Sequence, residues 1–401
     1  MRLPIHRWFR YSAGFASEWA QSIIKGAEIR QNGLVLDPFA GSGTTLLASD
    51  TTRVRSIGIE AHHFVRRVCQ AKLYWGTSSD SFLQRANDLI EKARNEKAIQ
   101  TKYPDLITRC YSPEALQQLD ALKITWANTA DETPASELIW LAITAILRPT
   151  ASAGTAQWQY ILPNKVKKII ADPFDAFLGQ VRLMRTDMVA MKEESDFTLA
   201  QIVLGDARRC ESVPSDSVDV VITSPPYANN YDYADATRFE MSFWGQVQSW
   251  SDLHDAVRKN LIVSSSQHAS IDKVDLEEVL ARETLRPIRK VLADVCQNLA
   301  TERLLHGGKK HYHTMIASYF ADMGEAWREL RRVCKDTAKI HFVIGDSAPY
   351  GVYVPVHEWF GQLALASGFK EYSFSKLRDR NIKWKNRKHR VPLQEGILIV
   401  T

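Results

Sequence analysis

An apolar run that ends on Asp37-Pro38-Phe39-Ala40-Gly41-Ser42-Gly43-Thr44-Thr45 restricts this chain more than any other segment. Leu34 to Leu36 form a buried-strand signal, Gly41-Ser42-Gly43 lets a backbone pass close to a ligand, and Thr44 to Ala48 opens a helix. Strand, glycine turn and helix in that order begin an open α/β sheet, whose ligands bind outside the carboxyl ends of the strands. A second apolar run, Asp219-Val220-Val221-Ile222-Thr223, passes straight into Ser224-Pro225-Pro226-Tyr227. Two such strand ends predict two adjoining pockets, one for a cofactor and one for chemistry.

The glycine turn narrows the cofactor. A dinucleotide fingerprint requires a third glycine where this chain has Leu46, and a phosphate-cradling P-loop requires a lysine that follows neither glycine here. Asp37, directly after the strand, would accept from an ammonium group and repel a diphosphate. S-adenosyl-L-methionine fits, with its ammonium, sulfonium and ribose. Glu60 ends Ile57-Gly58-Ile59, where nucleotide-binding sheets place a ribose-gripping carboxylate. Asp206, near the end of a third strand signal over Ile202 to Ala207, is placed to accept from the adenine amino group. Singly, each acid reads equally well as a structural cap; three of them at the ends of three apolar strands carry the cofactor reading together.

In Ser224-Pro225-Pro226-Tyr227 two prolines fix φ and remove two backbone donors, which leaves a rigid group of acceptors. Such a group suits the exocyclic amine of a nucleobase, whose lone pair is delocalised into the ring. Hydrogen bonds from its two N–H groups to Ser224 Oγ and the Pro225 carbonyl favour the tetrahedral geometry that methyl transfer needs. Tyr227 offers a flat face on which an extruded base can stack.

These segments resemble the amino-methylating DNA methyltransferases, the group that makes N4-methylcytosine or N6-methyladenine. The resemblance implies a doubly wound, Rossmann-like α/β core of the class I methyltransferase type with helical insertions. It implies that Asp37, Pro38, Phe39, Ala40, Gly41, Ser42, Gly43 and Thr44 form the cofactor loop, with Glu60, Asp206 and Ala207 completing that site. Ser224, Pro225, Pro226 and Tyr227 become the catalytic turn. His6-Arg7-Trp8-Phe9-Arg10-Tyr11-Ser12 is similar to the family's leading segment over the methionine end, which adds Tyr11 to the cofactor residues. Serine at the first catalytic position is more usual among cytosine-N4 enzymes, so N4 of cytosine is the expected target, with N6 of adenine the alternative. An RNA amino-methyltransferase and an inactive nucleic-acid-binding homologue are the further alternatives. Cytosine-C5 chemistry fits poorly, because it needs a nucleophilic cysteine after a proline, and Cys69 and Cys296 read as core.

The similarity covers the first 75 or so residues and the stretch from about 200 onward. Between them, residues 76–195 read as an all-α insertion with helix starts at Ser112-Pro113 and Thr133-Pro134, a candidate for target recognition. Residues 196–401 return to the core, with a helical lobe over about 238–306 and a basic segment over 376–390. Within the insertion, Lys165, Lys167 and Lys168 form a small basic stretch without an assigned role.

The net charge of +5 permits nucleic-acid binding, and its distribution is more telling. Lys376, Arg378, Arg380, Lys383, Lys385 and Arg387 crowd around Trp384, a pattern for phosphate and base contact. Asn230 and Tyr231, in the loop after the catalytic turn, are expected to touch the substrate. Double-stranded DNA is the expected partner, accompanied by a cognate restriction endonuclease. Five cysteines without C-x-x-C spacing indicate neither a disulfide framework nor a zinc site, and no metal is expected at His311 and His313. A cytoplasmic setting follows, since Leu138 to Leu147 is too short to span a bilayer and Met1-Arg2-Leu3-Pro4 opens no signal peptide.

Overall fold

The computed structural model describes all residues except 1–2, 12–13, 28, 30–32, 97, 157–159, 195–198, 230, 268–273 and 381–390. Nine strands appear among them: β1 (Leu34–Asp37), β2 (Arg55–Glu60), β3 (Ala153–Thr155), β4 (Ile161–Val166), β5 (Ala200–Leu204), β6 (Val218–Thr223), β7 (Cys334–Gly345), β8 (Tyr372–Arg380) and β9 (Leu393–Val400). Seven form one sheet in the order β5-β2-β1-β6-β7-β9-β8, and β3 pairs with β4 alone. The run from β5 to β7 is parallel, whereas β9 and β8 close the edge as an antiparallel hairpin.

Burial follows from this order. All four residues of β1 are buried and β6 is buried at all but Asp219, as central parallel strands covered on both faces require. On one face the helix Ser17–Gly26 sets Ala20 and Ile24 against Val35, Val220 and Ile222. On the other, the helix Tyr312–Val333 lays Trp327 on Phe342 of β7, ring centroids 4.8 Å apart. Strand order reverses between β1 and β6, so the crevice beyond their carboxyl ends is the topological switch point where open α/β sheets hold ligands.

The insertion between β2 and β5 is not all-α. The helices Ser79–Ala93, Pro113–Thr129, Pro134–Thr150 and Pro173–Glu194 form most of it, and β3 and β4 form a hairpin between the last two. The expected starts do hold: Ser112 Oγ accepts from Ala115 N and Thr133 Oγ1 from Ser136 N, each with proline in the first turn. Its apolar core is continuous with the amino-terminal segment and with Phe239, Met241 and Phe243 of the helix Tyr233–Phe243, which directly follows the catalytic loop. That helix begins five residues before the expected boundary at Arg238. No helix among the described residues is long and apolar enough to cross a membrane.

Two buried charges tie the amino-terminal segment down. Asp187, on the helix Pro173–Glu194, accepts from Ile5 N and Trp8 Nε1 at 3.0 Å each and pairs with the Arg7 guanidinium. Lys72 is 1% exposed and reaches the carbonyls of His6 (3.3 Å) and Ser42 (3.4 Å), so one ammonium joins that segment to the glycine turn. Burial pushes this ammonium down to about 8. Both residues lie on apolar helix stripes: Val65, Val68, Cys69 and Lys72 follow i, i+3, i+4, i+7, and Asp187 sits between Met184 and Met188.

Candidate active site

At the end of β1 the chain turns through Gly41 at φ +53° and Gly43 at φ +90°, a region that disfavours other residues. A Cβ on Gly43 would stand 2.6 Å from Cys69 Sγ, and one on Gly41 would stand 3.2 Å from Tyr11 Cε1. The turn is thus clamped between a buried cysteine and the ring of the amino-terminal segment, where Tyr11 was expected; Ser12 lies outside the described residues. Ala40 N donates to the Ile59 carbonyl and Gly43 N to the Ala40 carbonyl, and Thr44 begins the helix Thr44–Thr51. Phe39 packs against the sheet core.

Asp37 faces inward. It is 1% exposed; Oδ1 accepts from Thr223 Oγ1 (2.6 Å) and Phe39 N (3.1 Å), and Oδ2 accepts from Thr45 Oγ1 (2.6 Å). Three of its roughly four acceptor positions are filled inside the fold. Burial pushes the carboxyl up to about 6, while the hydroxyls of Thr223 and Thr45 and the Phe39 N–H pull it back down. The partner that the sequence suggested, a ligand ammonium, is matched here by two threonine hydroxyls that lock β1, the following helix and β6 together.

Glu60 is arranged differently. Oε2 accepts from Gly41 N and Oε1 from His62 N, both at 2.8 Å, so each oxygen keeps acceptor capacity. Burial pushes it up to about 7, against the lowering effect of those N–H groups. Tyr11, Tyr231 and Tyr233 gather beside it, with Tyr231 and Tyr233 ring centroids 4.3 Å apart. Tyr231 is 4% exposed, which corrects its expected place on the substrate surface: its ring belongs to this buried tyrosine group. Asn230 lies outside the described residues.

Strand β5 ends at Leu204, two residues before Asp206, shorter than the Ile202 to Ala207 signal. The Asp206 carboxylate pairs with Arg208, through Nε at 2.9 Å and Nη2 at 2.7 Å, and Arg208 continues to Asp322 at 3.0 Å. Ala207 is buried beside it.

The Ser224–Tyr227 turn leaves β6 beside the glycine turn that leaves its parallel neighbour β1. Ser224 Oγ donates to the Val343 carbonyl at 3.1 Å. With its proton committed to β7, the hydroxyl oxygen turns acceptor lone pairs toward anything else in the crevice. Tyr319 Oη donates to the Pro226 carbonyl at 2.9 Å, so that acceptor is already engaged. Over the Tyr227 ring lies the Arg380 guanidinium, 5.0 Å from the centroid. Gly345 makes room for this pair, since a Cβ there would stand 2.7 Å from Arg380 Nη1 and 3.2 Å from Tyr227 Cε2.

This placement corrects the reading of Lys376, Arg378 and Arg380 as a phosphate-contacting run. They lie on strand β8, where Lys376 pairs with Asp379 (2.6 Å) and Arg378 with Glu395 of β9 (2.7 Å). Arg380 donates to the Asp346 carbonyl at 2.7 Å and covers Tyr227. Lys383, Trp384, Lys385 and Arg387 lie outside the described residues. Cys69 and Cys296 are buried core residues, as expected. Sequence reasoning passed over Lys72, Asp187, Tyr319 and the role of Arg380; for the first two, a charge within an apolar helical stripe was the available signal.

Residues 6–71 match the DNA methylase family. The chain is 27% identical to the Type II methyltransferase M.BsoBI of Geobacillus stearothermophilus over 415 aligned residues, which cover 94% of this chain and 81% of that protein. It is 24% identical to the Type II methyltransferase M.AvaI of a Nostoc species and of Anabaena variabilis, over 91% of this chain and 79% of each relative. These alignments run through both turns at the switch point and through the long insertion between them. The chain is thus similar to amino-methylating DNA methyltransferases, by a family match in its amino-terminal part and by likeness to Type II methyltransferases over most of its length.

Proposed function

We propose that this protein is a Type II DNA methyltransferase of a restriction–modification system that methylates the exocyclic N4 of cytosine in duplex DNA, with S-adenosyl-L-methionine as donor. The observation that carries the reading is Ser224, whose hydroxyl proton is held by the Val343 carbonyl, which leaves acceptor capacity on its oxygen beside Tyr227.

The residues present suit the donor. Glu60 has an open acceptor position on each oxygen for a ribose diol, and Gly41 has no Cβ to fill the cradle beneath Tyr11. Tyr11 and Lys72 position the turn from above and below, and Asp206 is proposed to accept from the adenine amino group while Arg208 balances its charge. When bound, the donor supplies an electrophilic methyl group on a sulfonium.

The protein's own residues then act on the base. Tyr227, backed by Arg380, stacks the extruded ring. Ser224 Oγ and the Pro225 carbonyl accept from the two amino hydrogens, which draws the nitrogen toward tetrahedral geometry and aims its lone pair at the methyl carbon. As the N–C bond forms the sulfonium bond to that carbon breaks, and one amino proton leaves to water past Ser224. Alignment supplies most of the acceleration, because no group has to be activated. N6 of adenine presents the same two hydrogens; the serine at the first position of the turn favours cytosine through the resemblance alone.

The test is incubation of the purified chain with labelled donor and mixed-sequence duplex DNA, followed by digestion and mass analysis of the nucleosides. N4-methyldeoxycytidine that disappears in Ser224→Ala and Tyr227→Ala supports the reading. N6-methyldeoxyadenosine keeps the mechanism and overturns the choice of base. Absence of donor binding sinks the enzyme.

A further inference from the structure

Of the lysines left without a role by the sequence, Lys165 lies on β4 of the β3–β4 hairpin and Lys168 two residues past its end. The ladder is irregular: Thr155 pairs with Ile161 and Gly154 with Leu162, but Ala153 pairs with Val166, so Pro163, Asn164 and Lys165 bulge out of one strand. Gly154 accommodates the bulge, since a Cβ there would stand 3.0 Å from the Lys165 carbonyl oxygen and 3.2 Å from its Cβ. Arg109 Nη2 braces it from the insertion by donating to Asn164 Oδ1 at 2.7 Å. Bulges of this kind re-aim side chains and recur beside active sites.

Two chemistries are mixed on the outer face. Lys165 and Lys168 are exposed and have no ion pair among the described residues. Lys167 is different: its ammonium caps the helix Pro134–Thr150 through the Arg148 and Ala151 carbonyls. Between and after the free lysines, Val166 is 75% exposed and Ile169 86%, and Ile170 is exposed beside them. Single exposed apolar residues are ordinary, but three within five positions interleaved with unpaired cations mark a contact surface.

The hairpin also reaches the catalytic loop. Asp232 N donates to Tyr160 Oη at 2.8 Å, so the end of the hairpin is pinned five residues past Tyr227. A cleft of about 520 Å³ opens between it and the amino-terminal segment, lined by Phe9, Arg10, Arg148, Thr155, Lys165 and Lys167. Arg10 directly precedes Tyr11, which covers the glycine turn.

We infer that this bulged hairpin and the segment directly after it grip the duplex: Lys165 and Lys168 contact phosphates, and Val166 and Ile169 press into the groove beside the extruded base. The inference rests on the proposed DNA methyltransferase activity. Two neighbouring cations without a carboxylate partner among the described residues suit a polyanion, and apolar wedges are how proteins hold a duplex distorted at one base step.

The test uses the full chain and a random-sequence duplex DNA library, with binding measured across a salt series. For Lys165→Ala/Lys168→Ala, affinity at about 0.1 M salt should fall on the order of tenfold per lysine, and the slope of log K against log salt should drop by about one per lysine. For Val166→Ser/Ile169→Ser, affinity should fall roughly fivefold per residue with the slope unchanged, because apolar contact releases no counterions. Donor binding and thermal unfolding should match wild type in both, since all four side chains are exposed. Wild-type affinity and slope in both variants would overturn the inference while leaving the methyltransferase reading intact. Tighter binding of duplex RNA than of duplex DNA would also overturn it. A wild-type chain that binds neither donor nor DNA would sink both.

Discussion

The two turns at the switch point sit side by side and are built on opposite plans. The one after β1 is closed on itself: Asp37 is filled by Thr45, Thr223 and the Phe39 N–H, and the glycines are wedged under Cys69 and Tyr11. The one after β6 is held from behind, Ser224 by the Val343 carbonyl and the Pro226 carbonyl by Tyr319, and keeps acceptor capacity on the Ser224 hydroxyl oxygen. Glu60 belongs with the second plan although it lies on the cofactor side, because each oxygen is only half used. A carboxylate at a strand end is a ligand residue or a structural one according to how many of its acceptor positions the fold has already taken.

The largest effect that would break this contrast is at Asp37. Asp37→Ala strands the buried Thr223 hydroxyl and the Phe39 N–H, each costing about 1–3 kcal/mol, whereas Thr45 keeps the Ile222 carbonyl, against a total stability of about 5–15 kcal/mol. The midpoint of urea unfolding should fall by the equivalent of several kcal/mol. A wild-type midpoint would mean that the closed turn is not a structural lock.

Next come Tyr227→Ala and Ser224→Ala, expected to lower the transfer rate roughly 100- to 1,000-fold with donor affinity and unfolding midpoint unchanged. A parallel loss of midpoint would erase the distinction between the two turns.

Glu60→Gln should weaken donor binding roughly tenfold and lower the midpoint modestly, by the equivalent of about 1–3 kcal/mol, because its amide nitrogen cannot accept from one of the two N–H groups. The pH dependence sharpens this prediction. The folded carboxyl lies near 7, above its ordinary value, so protons bind the folded chain more tightly, and this group's contribution to stability is lost as pH rises from about 4.5 through 7. Donor binding runs the other way, because the ribose hydroxyls need the ionised form: calorimetric affinity should climb between about pH 6 and 8 in wild type and stay flat over the same range in Glu60→Gln.

The smallest effect is at Arg380. Arg380→Ala removes a cation from the Tyr227 ring, worth about 0.5–2 kcal/mol, and should raise the KM for DNA several-fold with little change in kcat. A KM equal to wild type at low and high salt would mean that Arg380 serves only its bond to the Asp346 carbonyl.

Much of the core was legible in the sequence because central parallel strands are continuous apolar runs: β1, β2, β5 and β6 all appear where Leu34, Ile57, Ile202 and Val220 announced them. The β3–β4 hairpin was not, since β4 is mostly exposed and breaks its alternation at the bulge. Nor was β8, whose outward residues are charged and read as a basic loop. Charge density along the chain failed as a guide to free charge for the same reason: Arg378 finds Glu395 across a strand pair, and Lys165, in a sparser run, finds no carboxylate among the described residues.

The sequence by itself determined the chemistry of the two turns, because glycine, paired prolines and a strand end act through their own backbone within a few residues. Only the tertiary structure decided which groups face a ligand. Thr223 lies 186 residues from Asp37 and Asp187 179 residues from Trp8, and whether an acid is filled, neutralised or open is fixed by whatever the fold brings within about 3 Å.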